Sequence, residues 1–198
     1  SPAPLWELRR ITKSFPGVKA LDGVSLVLLP GEVHALLGEN GSGKSTLCKC
    51  LAGVYSPDEG DVLYRGAAVA ISTPLEARGY GVATIYQEFS LVPTLSVVEN
   101  IFLGRPLRHP TLRTLDWPAM RASAAEHLRA LDLDIDPDAP VRTLSVAEQQ
   151  LVEIAKALAL DSTLLIMDEP TAALGLAETE RLQSLIRQLA DKGKAILY

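Results

Sequence analysis

A chain of 198 residues, nearly half of them hydrophobic, is long enough to bury about 70% of its unfolded surface, so one domain with subdomains is expected. Its net charge of −5, with no run of lysine or arginine, argues against a nucleic-acid backbone as partner. No apolar stretch reaches membrane-spanning length, and Ser1-Pro2-Ala3-Pro4 lacks a charged start followed by an apolar run, so a soluble, unsecreted chain is expected.

Short strand-like runs fill the first third: Leu5 to Arg10, Val24 to Leu28, Glu32 to Leu37 and Asp61 to Tyr64. Turn residues at Phe15-Pro16-Gly17 and Leu29-Pro30-Gly31 separate them, and much of this region is expected as antiparallel sheet. Directly after Val33-His34-Ala35-Leu36-Leu37 comes Gly38-Glu39-Asn40-Gly41-Ser42-Gly43-Lys44-Ser45-Thr46, whose spacing matches a phosphate-binding loop. Glycines let such a loop curl so that successive N–H groups point at phosphate oxygens. A helix from Lys44 to Ala52, ended by Gly53, then offers its N-terminal N–H groups and dipole to the same charge. Lys44 is placed to reach the β- and γ-phosphates, Ser45 to give its hydroxyl to magnesium, and Thr46 to bond an α-phosphate oxygen. The bland alternative is a glycine turn joining strand to helix. Cys48 and Cys50 lie two positions apart on that helix, do not face each other, and have no zinc-like histidine spacing nearby, so both read as ordinary thiols.

A buried strand is expected at Gly81 to Tyr86, then a mostly helical stretch in which Ala124, Leu128 and Leu131 share a face suited to core packing. A turn-rich connector from Asp134 to Pro140 precedes a helix over Gln149 to Leu160 and a second buried strand at Leu164 to Met167. Leu182, Leu185, Ile186 and Leu189 mark a further helix that stops at Gly193, before the apolar run Ala195 to Tyr198. Strands alternating with helices imply a parallel core sheet, hence an α/β class. The strand at Leu164 to Met167 runs into Asp168 and Glu169. Two carboxylates there suit a magnesium shell for Asp168 and a general base for Glu169, which polarises the attacking water. They serve equally well as solvated turn residues before Pro170 unless the upstream loop holds a triphosphate.

The order of motifs resembles that of the ATP-binding cassette ATPases: the loop at Gly38 to Thr46, Ile85-Tyr86-Gln87-Glu88, Leu144-Ser145-Val146-Ala147-Glu148-Gln149-Gln150, and Met167-Asp168-Glu169-Pro170-Thr171. The resemblance covers nearly the whole chain and implies a P-loop NTPase fold, a RecA-like parallel core sheet with an antiparallel β subdomain and a helical subdomain at about Leu91 to Thr143. It implies ATP and Mg2+ as ligands. Gln87 would contact magnesium and couple nucleotide state to membrane subunits, although by itself it reads as a solvated residue after a strand. An aromatic residue stacks on adenine in this family, and Phe15 in Lys13-Ser14-Phe15-Pro16-Gly17-Val18 occupies that position; a core phenylalanine at a strand end is the competing view. Lys13 to Leu21, Ile85 to Gly104 and Leu144 to Leu158 look most like the first half of two-cassette ATP-binding subunits of bacterial monosaccharide importers. That implies a second cassette and membrane permease subunits as partners, an external sugar-binding protein as an indirect one, and a place on the cytoplasmic face of the membrane. A nonhydrolytic regulatory cassette and a nucleotide-dependent clamp on nucleic acid or ribosomes are the alternatives.

Three departures from the family pattern matter. Where the family reads Leu-Ser-Gly-Gly-Gln, this chain has Leu144-Ser145-Val146-Ala147-Glu148. Ser145 is retained for a γ-phosphate held by the opposite cassette, but Ser145 and Glu148 also have the spacing of a capping box. The Glu148 carboxylate would repel that phosphate, so the segment is expected to be a poor catalytic partner. After Thr171 the chain reads Ala172-Ala173-Leu174-Gly175, without the carboxylate that the family usually carries. The family's switch histidine would follow a strand like Ala195 to Tyr198, and His34, His109 and His127 all lie too early to serve. Residues 1–198 are therefore expected to be a single nucleotide-binding domain truncated at its C-terminus, able to bind nucleotide but weak in hydrolysis.

Overall fold

Strands β1 (Trp6–Phe15) and β2 (Val18–Leu28) fold back on one another across Pro16-Gly17, with Phe15 opposite Val18 and Trp6 opposite Leu28. They belong to a computed structural model that describes residues 3–39, 41–85, 90–160, 162–167 and 175–198. Both strands run longer than the alternation of apolar residues suggests. The ladder shifts register between Leu8 and Ile11, where Arg10 takes a φ of 50°, and such a bulge breaks the period of two while the strand continues. β1 also pairs antiparallel with β4 (Glu59–Tyr64), and β4 pairs with β5 (Ala67–Ala68), giving the sheet order β2-β1-β4-β5.

A second sheet has the order β3-β8-β7-β6, from β3 (Val33–His34), β6 (Val82–Ile85), β7 (Leu164–Met167) and β8 (Ala195–Leu197). β3 and β7 both lie parallel to β8. The ladder of β3 is short, but single bonds extend it on both sides, from the Ile196 amide to the Glu32 carbonyl at 2.8 Å and from the Leu36 amide to the Tyr198 carbonyl at 2.7 Å. All four residues of β7 are buried, which is why it reads as an unbroken apolar run and not as an alternation.

The described residues divide into two compact units. The first spans 3–84, 162–167 and 186–198 and holds both sheets except Ile85 at the end of β6, with α1 (Lys44–Leu51) and α2 (Pro74–Gly79). Its core joins Trp6, Leu8, Ile11 and Leu28 to Leu47 and Leu51 of α1 and to Leu164, Ile166 and Leu197 of the parallel sheet. The second spans 85, 90–160 and 175–185. There α3 (Val97–Ile101), α4 (Trp117–Arg129) and α5 (Val146–Leu158) pack pairwise, burying Val97, Ile101, Met120, Leu128, Leu151 and Ile154. Asp116 caps α4 by accepting the Ala119 amide at 3.0 Å, and Ser96 caps α3. Leu131, expected on the stripe of Ala124 and Leu128, is buried just beyond the end of α4. The helix α6 (Leu176–Asp191) begins among residues of the second unit and ends among those of the first. No helix among the described residues is long and apolar enough to cross a membrane.

Candidate functional site

The glycine loop leaves β3 and enters α1 through a tight approach that the sequence permits at only a few residue types. Gly43 is the N-terminal cap of α1 with a φ of 95°, and a Cβ built there would come within 2.5 Å of the Ala20 carbonyl oxygen. A Cβ on Gly38 would meet the Ser42 hydroxyl oxygen at the same 2.5 Å. The Ser42 amide donates to the Glu39 carbonyl at 3.1 Å, and the Lys44 ammonium donates to the carbonyls of Gly38 at 2.6 Å and Glu39 at 3.0 Å. The lysine is thus folded over the loop it follows. Gly43 has no side chain to cap the first turn of α1, and a helix N-terminus left so is one to which an anion can bind. Gly41 also takes a positive φ of 83°, while Asn40 lies outside the described residues.

This cradle fits phosphate oxygens: it offers backbone donors, a helix N-terminus and one ammonium, and side chains are kept out by Gly38 and Gly43. For a divalent ion only part of the expected donor set is described. Ser45 is exposed in the first turn of α1, whereas Gln87, Asp168 and the expected base Glu169 lie outside the described residues. Because β3 and β7 both run parallel to β8 and flank it, the C-terminal ends of β3 and β7 lie at the same edge of one sheet. Two strand spacings separate them, about 9 to 10 Å. In open parallel sheets that edge is where ligands bind.

Phe15, at the end of β1, is half-buried. Its ring meets Tyr55 edge to face at 5.1 Å between centroids, with the Lys13 ammonium 5.8 Å from its centre. Asp58 fixes this turn: its carboxylate accepts from the Lys13 ammonium at 2.6 Å and from the Ser14 amide at 2.7 Å. The bond from Lys13, then that from Ser14, hold the Asp58 carboxyl below its ordinary range. Neither Asp58 nor Tyr55 is a motif residue. The turn signal Ser56-Pro57-Asp58 was the available hint, but nothing local joins it to Phe15.

Ser145 is the cap of α5, and the capping box with Glu148 is complete. The Ser145 hydroxyl accepts the Glu148 amide at 3.3 Å, and the Glu148 carboxylate accepts the Ser145 hydroxyl and amide, each at 2.7 Å. Those two bonds hold the Glu148 carboxyl below its usual range, so it is ionised at neutral pH. The helix therefore starts at Val146, three residues before the expected Gln149, because the box organises its first turn.

A glycine cradle between a parallel strand and an uncapped helix defines a phosphate-loop nucleoside triphosphatase fold, completed here by an antiparallel sheet and a helical unit. A family model described as ABC transporter matches residues 21–172. The chain is 54% identical over 195 residues to the ribose import ATP-binding protein RbsA 1 of Rubrobacter xylanophilus, across 98% of its own length and 39% of that protein. It is 50% identical over 192 residues to the putative ribose/galactose/methyl galactoside import ATP-binding protein 2 of Burkholderia lata, across 97% of its own length and 36% of that protein. It thus spans well under half the length of these relatives. Among solved structures it is similar to an ATP-binding cassette of an ABC transporter in its ADP conformation, with TM-score 0.85, 29% identity, and coverage of 98% of this chain and 80% of that one. A dimeric bacterial ABC transporter cassette matches with TM-score 0.84 and 27% identity over 97% of this chain and 86% of that one. The chain belongs to the ABC transporter family.

Proposed function

We propose that this chain is a nucleotide-binding cassette that binds Mg-ATP and, within the intact protein, hydrolyses it to power import of a monosaccharide. The observation that carries the reading is the cradle itself, Gly38 to Thr46, with an uncapped helix behind it and Lys44 folded across it. Backbone amides of the loop and Lys44 hold the phosphates. Ser45, Gln87 and Asp168 hold magnesium, which neutralises charge developing on the phosphoryl oxygens. Glu169 aims and deprotonates the attacking water, and Phe15 stacks on the adenine. The names of the ribose import relatives support a sugar as the transported solute.

The partners of this reading are a second cassette, membrane permease subunits and, through them, an external sugar-binding protein, with the cassette on the cytoplasmic face of the membrane. Nucleotide lies between the loop of one cassette and the Ser145-type segment of the other. Ser145 therefore serves the opposite site, and there Glu148 brings a negative charge toward the γ-phosphate. The site built on Lys44 and Glu169 turns over when its partner segment is sound, while the site using Ser145 is slow. The complete capping box favours a largely structural segment at Ser145, and so keeps a regulatory cassette as the second reading.

Glu169→Gln in the intact protein tests the enzyme reading. Hydrolysis should fall at least a hundredfold while ATP affinity stays within about threefold, because only the proton acceptor is lost. Unchanged hydrolysis in that variant transfers the case to the regulatory reading.

A further inference from the structure

The chain passes from the first unit to the second at Ile85, and the described residues resume at Ser90, three positions beyond Gln87. Ser90 has no ladder or helix to satisfy its backbone. Its amide donates to Glu153 Oε1, and its hydroxyl donates to Glu153 Oε2 at 3.1 Å. From one turn further along α5, the Lys156 ammonium donates to the Ser90 hydroxyl at 2.8 Å and to its carbonyl at 3.4 Å. Two side chains three positions apart on one helix face thus close on a single residue.

Glu153 is only 6% exposed, on a helix whose buried residues are otherwise apolar except for Gln150. A buried carboxylate is expensive to keep where an apolar residue would pack as well, unless its bonds do something that packing cannot. Beyond Ser90 the described part of this loop is held at several further points. Asn100, fully buried on α3, accepts the Val92 amide at 2.7 Å and donates to the carbonyls of Val92 at 3.1 Å and Ser96 at 3.0 Å. The Val141 amide donates to the Leu95 carbonyl at 3.0 Å and the Arg142 amide to the Pro93 carbonyl at 2.9 Å. Residues 141–142 lead directly to Ser145. Residues 90–95 are therefore bonded to the approach to Ser145 at one end and to the body of the same helix at the other.

We infer that Glu153 is a positioning residue that clamps residues 90–95 onto the helix opened by Ser145, so that the two move as one body. Its consequence for catalysis rests on the cassette reading above, in which Gln87, three positions before Ser90, contacts the metal: a displacement that arrives at Ser90 reaches Ser145 without slack. Glu153 touches neither nucleotide nor metal in this scheme. Its effect is on the metal requirement and not on the grip of the phosphate loop.

The test uses the intact protein and the variants Glu153→Ala, Glu153→Gln and Ser90→Ala. Amide hydrogen exchange of residues 90–95 should speed about tenfold in Glu153→Ala and a few-fold in the other two, with exchange across 151–158 unchanged. The Mg2+ concentration giving half-maximal ATP hydrolysis should rise three- to tenfold in Glu153→Ala and less in Glu153→Gln, while ATP affinity in EDTA stays at the wild-type value. Wild-type exchange at 90–95 and wild-type Mg2+ dependence in folded Glu153→Ala would overturn the clamp. If that variant fails to fold, wild-type behaviour of both Glu153→Gln and Ser90→Ala overturns it instead. Should the wild-type protein neither bind nor hydrolyse ATP, the cassette reading falls, and the exchange measurement still decides for or against the clamp.

Discussion

Asp58 lies 44 positions from Ser14 in the chain and 2.7 Å from its amide in space. By holding Lys13 and Ser14 it sets the direction in which Phe15 leaves the end of β1. If Phe15 stacks on adenine, Phe15→Ala should weaken ATP binding by about 1 to 3 kcal/mol, roughly 5- to 150-fold. Asp58→Ala should weaken it a few-fold, since the ring remains but loses its bracing; titration with a fluorescent ATP analogue checks both. The sign of the Asp58 titration follows from its lowered value: its contribution to stability is complete above the unfolded carboxyl range near 3.8 and is lost as pH falls through the folded value. Cys50 behaves oppositely. Burial pushes its thiol up from 9.0 to about 11, so the folded state binds a proton that the unfolded state releases. Stability should therefore fall between pH 9 and about 11, and melting curves of Cys50→Ala should show a shallower fall across that window.

At the scale of elements, what decided legibility was whether a signal was local. The phosphate loop, β7 and the α6 stripe were readable because spacing or composition within a few residues specifies them. β1 and β2 were read short, since the bulge at Arg10 and the left-handed Gly23, φ 62°, interrupt the alternation without ending the strand. The helices α2 and α3 carry complete capping boxes, Thr73 with Glu76 and Ser96 with Glu99, and that signature would have found both. Asp58 and Glu153 were not readable, because their partners come from elsewhere in the chain. The box at Ser145 yields its own prediction. Glu148→Gln can still cap the helix but carries no charge, so hydrolysis at the site using Ser145 should rise several-fold, with stability changed by less than about 1 kcal/mol. Nucleotide trapping in the intact protein reads that rate, and an unchanged value removes the charge argument.

For the molecule as a whole, the parallel sheet explains why motifs far apart in sequence can serve one ligand. The C-terminal ends of β3 and β7 lie at the same sheet edge, on either side of β8. The order of motifs was legible in advance; this strand order was not, since β8 inserts between two strands that precede it. In the function proposed above, the helical unit, with α5 opening at Ser145, serves another cassette's nucleotide. Every step of this account depends on the cradle at Gly38 to Thr46 holding a triphosphate. Equilibrium binding of a fluorescent ATP analogue to residues 1–198, wild type against Lys44→Ala, tests it most directly. Saturable binding should be weakened about ten- to a hundredfold by the loss of hydrogen bonds to a charged phosphate, about 1.5 to 3 kcal/mol. No saturable binding by the wild-type chain, or equal affinity in the two, would contradict the account.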